Sequence, residues 1–190
     1  MAHRFDPAHL GHLDSPLRRL LLPQGRILKR IGVKEGDVFL DIGAGAGYFS
    51  FPAAEIVGEG GLVYAIDIEP EAVRLLNEKR EALGKRNVQV RQSTEKELGV
   101  PPGSGTVALL FTVLHEVDDK AGLLRSILHS LKEGGRLVVV EFRKEALLLG
   151  PPKSERISKE ELQALLEVAG CHDIRFEPLN ASLYIAAAVK

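Results

Sequence analysis

Apolar positions along this chain follow two different periods. In residues 1–36, Leu17, Leu20 and Leu21, then Ile27, Leu28 and Ile31, recur at the three-to-four spacing of a helix face. Ser15-Pro16 supplies an N-cap followed by a first helical position. From Asp37 onward, short apolar runs alternate with helical stripes. The runs are 38–42 (VFLDI), 62–68 (LVYAIDI), 88–91, 107–113 (VALLFTV) and 136–142 (RLVVVEF). Continuous hydrophobicity of this kind marks parallel strands covered on both faces. Helices are predicted between them: over 46–57, where Pro52 restricts the first turn; from Pro70 to about Leu83, with Gly84 as the stop; and through Leu123, Leu124, Ile127, Leu128 and Leu131, ended by Gly134-Gly135. Ser158 and Glu161 form a capping box for a further helix that closes at Gly170. The last two runs, 174–177 and 182–189, have no helix between them, so they predict an antiparallel hairpin.

Strand–helix alternation with right-handed crossovers gives an α/β fold, a doubly wound Rossmann-like sheet, mostly parallel with a C-terminal antiparallel hairpin strand. Residues 1–36 are expected to form an N-terminal helical cap on a core of 37–190. In such sheets ligands sit at the carboxyl ends of the strands. Basic residues in the cap (Arg4, Arg18, Arg19, Arg26, Lys29, Arg30, Lys34) outnumber Asp6, Asp14 and Glu35, most simply as a solvated face. Their arginines also suit an anionic or phenolate ligand, over which the cap would close.

Composition narrows the function classes. A chain of 190 residues with 45% hydrophobic content is one domain with a core of ordinary size. Its 25 Lys and Arg balance 26 Asp and Glu, for a net charge of −1, so no nucleic-acid partner is expected. Cys171 stands alone, which removes an internal disulfide and a cysteine-rich zinc site. His9 and His12 share a helical spacing without further ligands, so no metal is expected. No run reaches the ~20 apolar residues of a membrane span, and the polar opening MAHRFDPAHLGHLD does not read as a signal peptide. These features predict a cytoplasmic protein without a membrane partner; the oligomeric state stays open.

The chemistry concentrates at Asp41-Ile42-Gly43-Ala44-Gly45-Ala46-Gly47, where a strand runs through a glycine turn into a helix. Glycines let a ligand approach the backbone, and a helix N-terminus carries free N–H groups and partial positive charge. Asp67, at the end of the second strand, can accept both hydroxyls of a ribose. A dinucleotide turn wants a third glycine where this chain has Tyr48, and Asp41 would stand close to a pyrophosphate. An acid at that point suits a ligand with a positive amino group.

The segment Asp41-x-Gly43-x-Gly45-x-Gly47 resembles the first motif of the class I S-adenosylmethionine-dependent methyltransferases. Val63 to Glu71 resembles the second, Val113-Leu114-His115-Glu116-Val117 the segment after the fourth strand, and Leu131 to Leu137 the turn before the fifth. The nearest subgroup is that of small-molecule enzymes like those of ubiquinone and menaquinone biosynthesis. The resemblance implies S-adenosylmethionine as cofactor and a small-molecule acceptor. It implies that Asp41, Gly43, Ala44, Gly45 and Gly47 hold the methionine end, Asp67 the ribose and Ile68 the adenine, with Ser93, Thr94, Phe111 and Thr112 completing the cofactor site. Ser93 stands where the family commonly has Asp, and Gly105-Thr106 where it often has Phe-Asp.

Aligned methyl transfer needs a general base only when the acceptor is still protonated. His115, Glu116, Glu141 and Tyr184 are the candidates, and for His115 a loop-anchoring role is the simpler reading. Two other classes remain compatible with the residues: a cofactor-binding partner subunit that has lost catalysis, and a dinucleotide-dependent oxidoreductase.

Overall fold

The computed structural model describes residues 21–94, 96–145 and 150–190. The expected helix around Leu17 to Leu21, all but its last residue, and the His9–His12 pair lie outside them. Helix α1 (Gln24–Arg30) leads into β1 (Val38–Ile42), α2 (Ser50–Val57), β2 (Leu62–Asp67), α3 (Pro70–Ala82), β3 (Val88–Gln92) and β4 (Gly105–Phe111). A short 3₁₀ turn (Leu114–Glu116), α4 (Lys120–Ser130), β5 (Leu131–Phe142), α5 (Lys159–Ala169), β6 (His172–Pro178) and β7 (Leu183–Val189) follow. The seven strands form one sheet in the order β3-β2-β1-β4-β5-β7-β6. The pairings from β3 through β5 are parallel, and β7 is antiparallel to both β5 and β6. Strand order reverses at β1, between β2 and β4, which is the switch point at which such sheets take ligands.

Period-two alternation sorts the strands into two cores. Phe39, Val63, Ala65, Leu109, Val138 and Ile185 pack with α1, α2 and Leu76 of α3. Leu40, Tyr64, Ile66, Leu110, Val139 and Ala186 pack with α4 and α5. Helix α1 is part of the first core: Ile27, Leu28, Ile31 and Val33 are buried among its residues. Arg136 pins this segment to the foot of β5 by donating to the carbonyls of Ile31 (2.8 Å) and Gly32 (2.7 Å). The described part of residues 1–36 is therefore welded to the sheet.

Three boundaries differ from the sequence expectation. The first helix of the core starts at Ser50, not residue 46; residues 43–49 form turns, with the Gly47 amide bonded to the Ala44 carbonyl at 2.8 Å. Strand β4 stops at Phe111 because Thr112 takes a left-handed conformation (φ 55°) that breaks the pleat two residues early. Helix α4 stops at Ser130, and Leu131 already pairs with Gly105 of β4. Gly134-Gly135 therefore lie within the irregular start of β5 rather than capping a helix. A Cβ on Gly135 would stand 2.7 Å from the Lys132 carbonyl oxygen.

Thr106 explains one departure from the family pattern. It sits at the entry of β4, far from the carboxyl edge, donates to Asp37 Oδ1 (2.8 Å) and accepts from the Val38 amide (3.0 Å). It ties the starts of two central strands together.

The capping box is present as predicted: Ser158 Oγ accepts from the Glu161 amide at 3.1 Å, and the Glu161 carboxylate accepts from the Ser158 amide at 2.6 Å. Ser158→Ala removes one of these bonds and should cost about 1 kcal/mol. For a domain of this size that is a fall of roughly 2–4 °C in melting midpoint, to be read by calorimetry.

Candidate functional site

Strand β1 alternates faces, so Asp41 points to the side that buries Phe39, where the pattern calls for an apolar residue. It is buried, and its Oδ2 accepts a hydrogen bond from Ser50 Oγ at 2.5 Å. Ser50 opens α2 and is itself fully buried. Nothing in the apolar pattern flags it; the nine-residue offset from Asp41 becomes meaningful only once the turn between them is folded. Burial pushes the Asp41 carboxyl up to about 7; the Ser50 bond works against this, and the Asp67 charge adds to it.

The turn after β1 requires its glycines. Gly43, Gly45 and Gly47 have φ of 71°, 55° and 77°. A Cβ on Gly43 would stand 2.5 Å from Val113 Cγ2, so the turn and the segment after β4 touch there. The amides of Gly43 and Ala44 both donate to the Ile66 carbonyl (2.9 and 3.0 Å), binding the turn to β2. The Gly45 amide donates to Asp67 Oδ2 at 2.8 Å, and the Glu69 amide to Oδ1 at 3.0 Å. Burial raises the Asp67 pKa despite these two bonds. Each Asp67 oxygen keeps acceptor capacity beyond the one bond it receives here.

The structure brings most of the predicted cofactor residues together at the carboxyl edge of β1, β2 and β4. Ile68 follows Asp67 and is 37% exposed, an apolar surface next to a carboxylate. The Ser93 amide donates to the Asp67 carbonyl (2.9 Å), placing Ser93 beside it. Thr94 is turned into its own loop, with Oγ1 accepting from the amides of Lys96 and Glu97. The Phe111 ring packs on Phe49 with centroids 4.6 Å apart, on the side of the sheet that carries Asp41.

The base candidates separate. Tyr184 lies in the core on β7, 1% exposed, and its hydroxyl donates to the Ile157 carbonyl at 3.0 Å. Burial first, then the Glu141 charge, raises its pKa further. Its hydroxyl proton is thus committed to a backbone carbonyl within the core. Glu141, at the end of β5, is also fully buried and meets His115: Oε2 lies 2.8 Å from Nδ1. Both of its oxygens lie near the His115 ring. His115 Nε2 stands 3.7 Å from Glu116 Oε1. Burial disfavours the imidazolium, yet Glu141 and then Glu116 and Glu155 outweigh it, so the His115 pKa is raised. Among the described residues, no group of three His, Cys, Asp or Glu side chains has the arrangement of a metal site, and no helix is long and apolar enough to cross a membrane.

Comparison with known proteins bears on the family and the fold. The family model of a methyltransferase domain matches residues 33–174. A ubiquinone/menaquinone biosynthesis C-methyltransferase of Pasteurella multocida is 36% identical over 117 residues, covering 61% of this chain and 44% of the relative. This chain thus spans less than half the length of that curated relative. The crystal structure of a SAM dependent methyltransferase from Aquifex aeolicus superposes with a TM-score of 0.92 at 32% identity, over 98% of this chain and 99% of the other. At the level of fold alone, phosphoethanolamine N-methyltransferase 2 of Haemonchus contortus, solved with S-adenosyl-L-methionine, aligns with a TM-score of 0.75 at 19% identity, covering 88% of this chain and 52% of the other.

The buried Asp41 generates a pH-dependent prediction. Its folded pKa, about 7, lies above the ordinary value of 3.8. Its ionisation therefore opposes folding increasingly from about pH 4 and fully above pH 7. Asp41→Asn keeps an acceptor for Ser50 and removes the charge. It should stabilise the protein by roughly 2–4 kcal/mol at pH 8, with the gain vanishing near pH 4. Denaturant melts across this range would show the trend; a gain independent of pH would contradict it.

Proposed function

The chain belongs to the methyltransferase domain family, and from that premise we propose that it carries the methyl group of S-adenosylmethionine to a small organic acceptor, at an activated carbon. The observation that carries the reading is the pair of carboxylates, Asp41 and Asp67, set on either side of a left-handed glycine turn at the switch point. The donor set fits the cofactor. Asp41 is a buried anion for the amino group of the methionine end, and its burial makes that charge count for more than in water. The glycines leave room for the ligand along the turn. Asp67 would accept the ribose hydroxyls, and exposed Ile68 would lie against the adenine, with Ser93 at its edge. When bound, the cofactor supplies a sulfonium-activated methyl group. The protein's part is to align the acceptor with it and exclude water.

The acceptor class rests on the C-methyltransferase relatives. A non-catalytic partner subunit or a nicotinamide-dependent oxidoreductase has no comparable support.

The N-terminal segment is proposed to serve acceptor binding. Tyr48, at the end of the glycine turn, donates to the Leu22 carbonyl at 2.8 Å, which sets the approach to α1 beside the site. Removing residues 1–20, which spares the buried residues of α1, should leave S-adenosylhomocysteine affinity within a few-fold and lower turnover. Unaltered turnover would refute the assignment.

Asp67→Ala tests the cofactor reading itself. Hydrogen bonds to a charged group contribute about 1.5–3 kcal/mol, so affinity for S-adenosylhomocysteine should fall at least roughly tenfold in calorimetry. An unchanged dissociation constant would remove Asp67 from the site.

A further inference from the structure

We propose that His115 is the general base of the reaction, that Glu141 is its positioning residue, and that Glu116 passes the proton on to solvent. The proposal deepens the methyltransferase reading and rests on it.

The chain goes to some length to place this imidazole. Thr112 accepts a left-handed backbone conformation, which costs a non-glycine residue of order 1–3 kcal/mol. Its amide is pinned to the Val140 carbonyl of β5 at 2.8 Å. The chain then turns through Leu114–Glu116 and sets His115 against the end of β5. There both Glu141 oxygens lie near Nδ1, at 2.8 and 3.1 Å, and Oε1 also accepts from the His115 backbone amide at 3.2 Å. The Phe142 ring meets the imidazole edge to face, with centroids 5.8 Å apart. The position and plane of the ring are thus set by three contacts.

A carboxylate on Nδ1 holds the proton there and leaves the lone pair on Nε2. A loop anchor is complete with the backbone amide and Nδ1. It gives no reason for Nε2 to face a second carboxylate, Glu116 Oε1, at 3.7 Å. The side chain of His115 is only 6% exposed, that of Glu116 32%. A proton on Nε2 therefore has a neighbour that reaches water. Val113, two residues before His115, packs over Gly43 of the glycine turn, so the segment that carries the imidazole borders the proposed cofactor site. The charged groups around His115 are Glu141 on β5, Glu116 on its own turn and Glu155 on the segment before α5. All three favour the imidazolium that forms on taking a proton.

The chemistry suits an acceptor whose carbon is activated by a neighbouring phenol or enol hydroxyl. The O–H bond breaks, its proton goes to His115 Nε2, and the electron pair stays on the acceptor oxygen, from which it is delocalised to the carbon. With the cofactor bound, that carbon would take the methyl group as the sulfur–methyl bond breaks, and the ring C–H proton it displaces would return to the oxygen, restoring the hydroxyl. The imidazolium then gives the proton to Glu116 and thence to water, restoring neutral His115.

The test uses 1,4-naphthohydroquinone under anaerobic conditions with methyl-labelled S-adenosylmethionine. His115→Gln keeps a donor for Glu141. It should slow transfer at least roughly 100-fold at neutral pH, and its rate should then climb about tenfold per pH unit toward the wild-type value as the hydroquinone ionises by itself. The wild-type rate should level off above the imidazole pKa. Glu141→Gln should move that pH limb downward, and Glu141→Asp should restore it in part. Nitrogen-15 NMR of the imidazole should show the Nδ1–H tautomer at pH 8. A wild-type-like pH profile in His115→Gln, or an Nε2–H tautomer, would overturn the proposal. S-adenosylhomocysteine binding, measured in parallel, separates the two claims: its absence from the wild type would strike the methyltransferase reading, whereas binding with an unmoved pH profile strikes only the base.

Discussion

A carboxylate kept from water at the carboxyl end of the central strand is the constraint around which the site is arranged. Asp41 occupies a position that the strand's own alternation assigns to the core, and its ionisation is opposed by burial and by Asp67. The surrounding structure compensates only partly. Ser50 can reach the carboxylate because α2 begins four residues later than the apolar pattern suggests, and it begins there because the glycine turn occupies residues 43–47. The turn in turn hangs on the Ile66 carbonyl and on Asp67. One unfavourable charge thus ties β1, β2, the turn and the start of α2 into a single unit. A cationic ligand group would relieve it, so the stability given up in the free protein becomes selectivity for such a ligand.

The carboxyl edge divides its labour between two places. Asp41 and Asp67 stand at the ends of β1 and β2, on the face shared with α2. Glu141 and His115 stand at the ends of β5 and the segment after β4; Glu141 lies on the opposite face, beside Tyr184. Anions gather at both places, but their partners differ. Backbone amides and a serine hydroxyl answer the first pair, and an imidazole answers the second. The first pair is proposed to bind the cofactor, and the second to move a proton. Val113, which packs over Gly43, and Thr112, which turns the chain, link the two.

Much of this was legible in the residues because the signals were local. Strands buried on both faces announce themselves as VFLDI or LVYAID; the Ser158 capping box and the Gly170 stop are complete within a dozen residues. The pattern of Asp41, the glycine turn and Asp67 could be read because strand, turn and distal acid occur in one order. What escaped depended on tertiary contact. Thr112 belongs to an apolar run and would extend β4 were it not held left-handed by its bond to β5. Leu131 fits the stripe of α4 but pairs with Gly105 instead. Tyr184 offers a hydroxyl to any sequence reading, and only the fold shows that hydroxyl bonded to the Ile157 carbonyl in the core. Ser50 gains its role from Asp41, a neighbour that no spacing rule connects to it.

Proton release on cofactor binding tests the central claim most directly. Calorimetric titration of S-adenosylmethionine at pH 6.5 in two buffers of different ionisation enthalpy counts the protons given up. With an Asp41 pKa of about 7 in the free protein, pairing with the ligand's ammonium group should expel more than about half a proton per site. The release should decline above pH 8 and disappear in Asp41→Asn. Tight binding with no proton release at pH 6.5 would contradict the account.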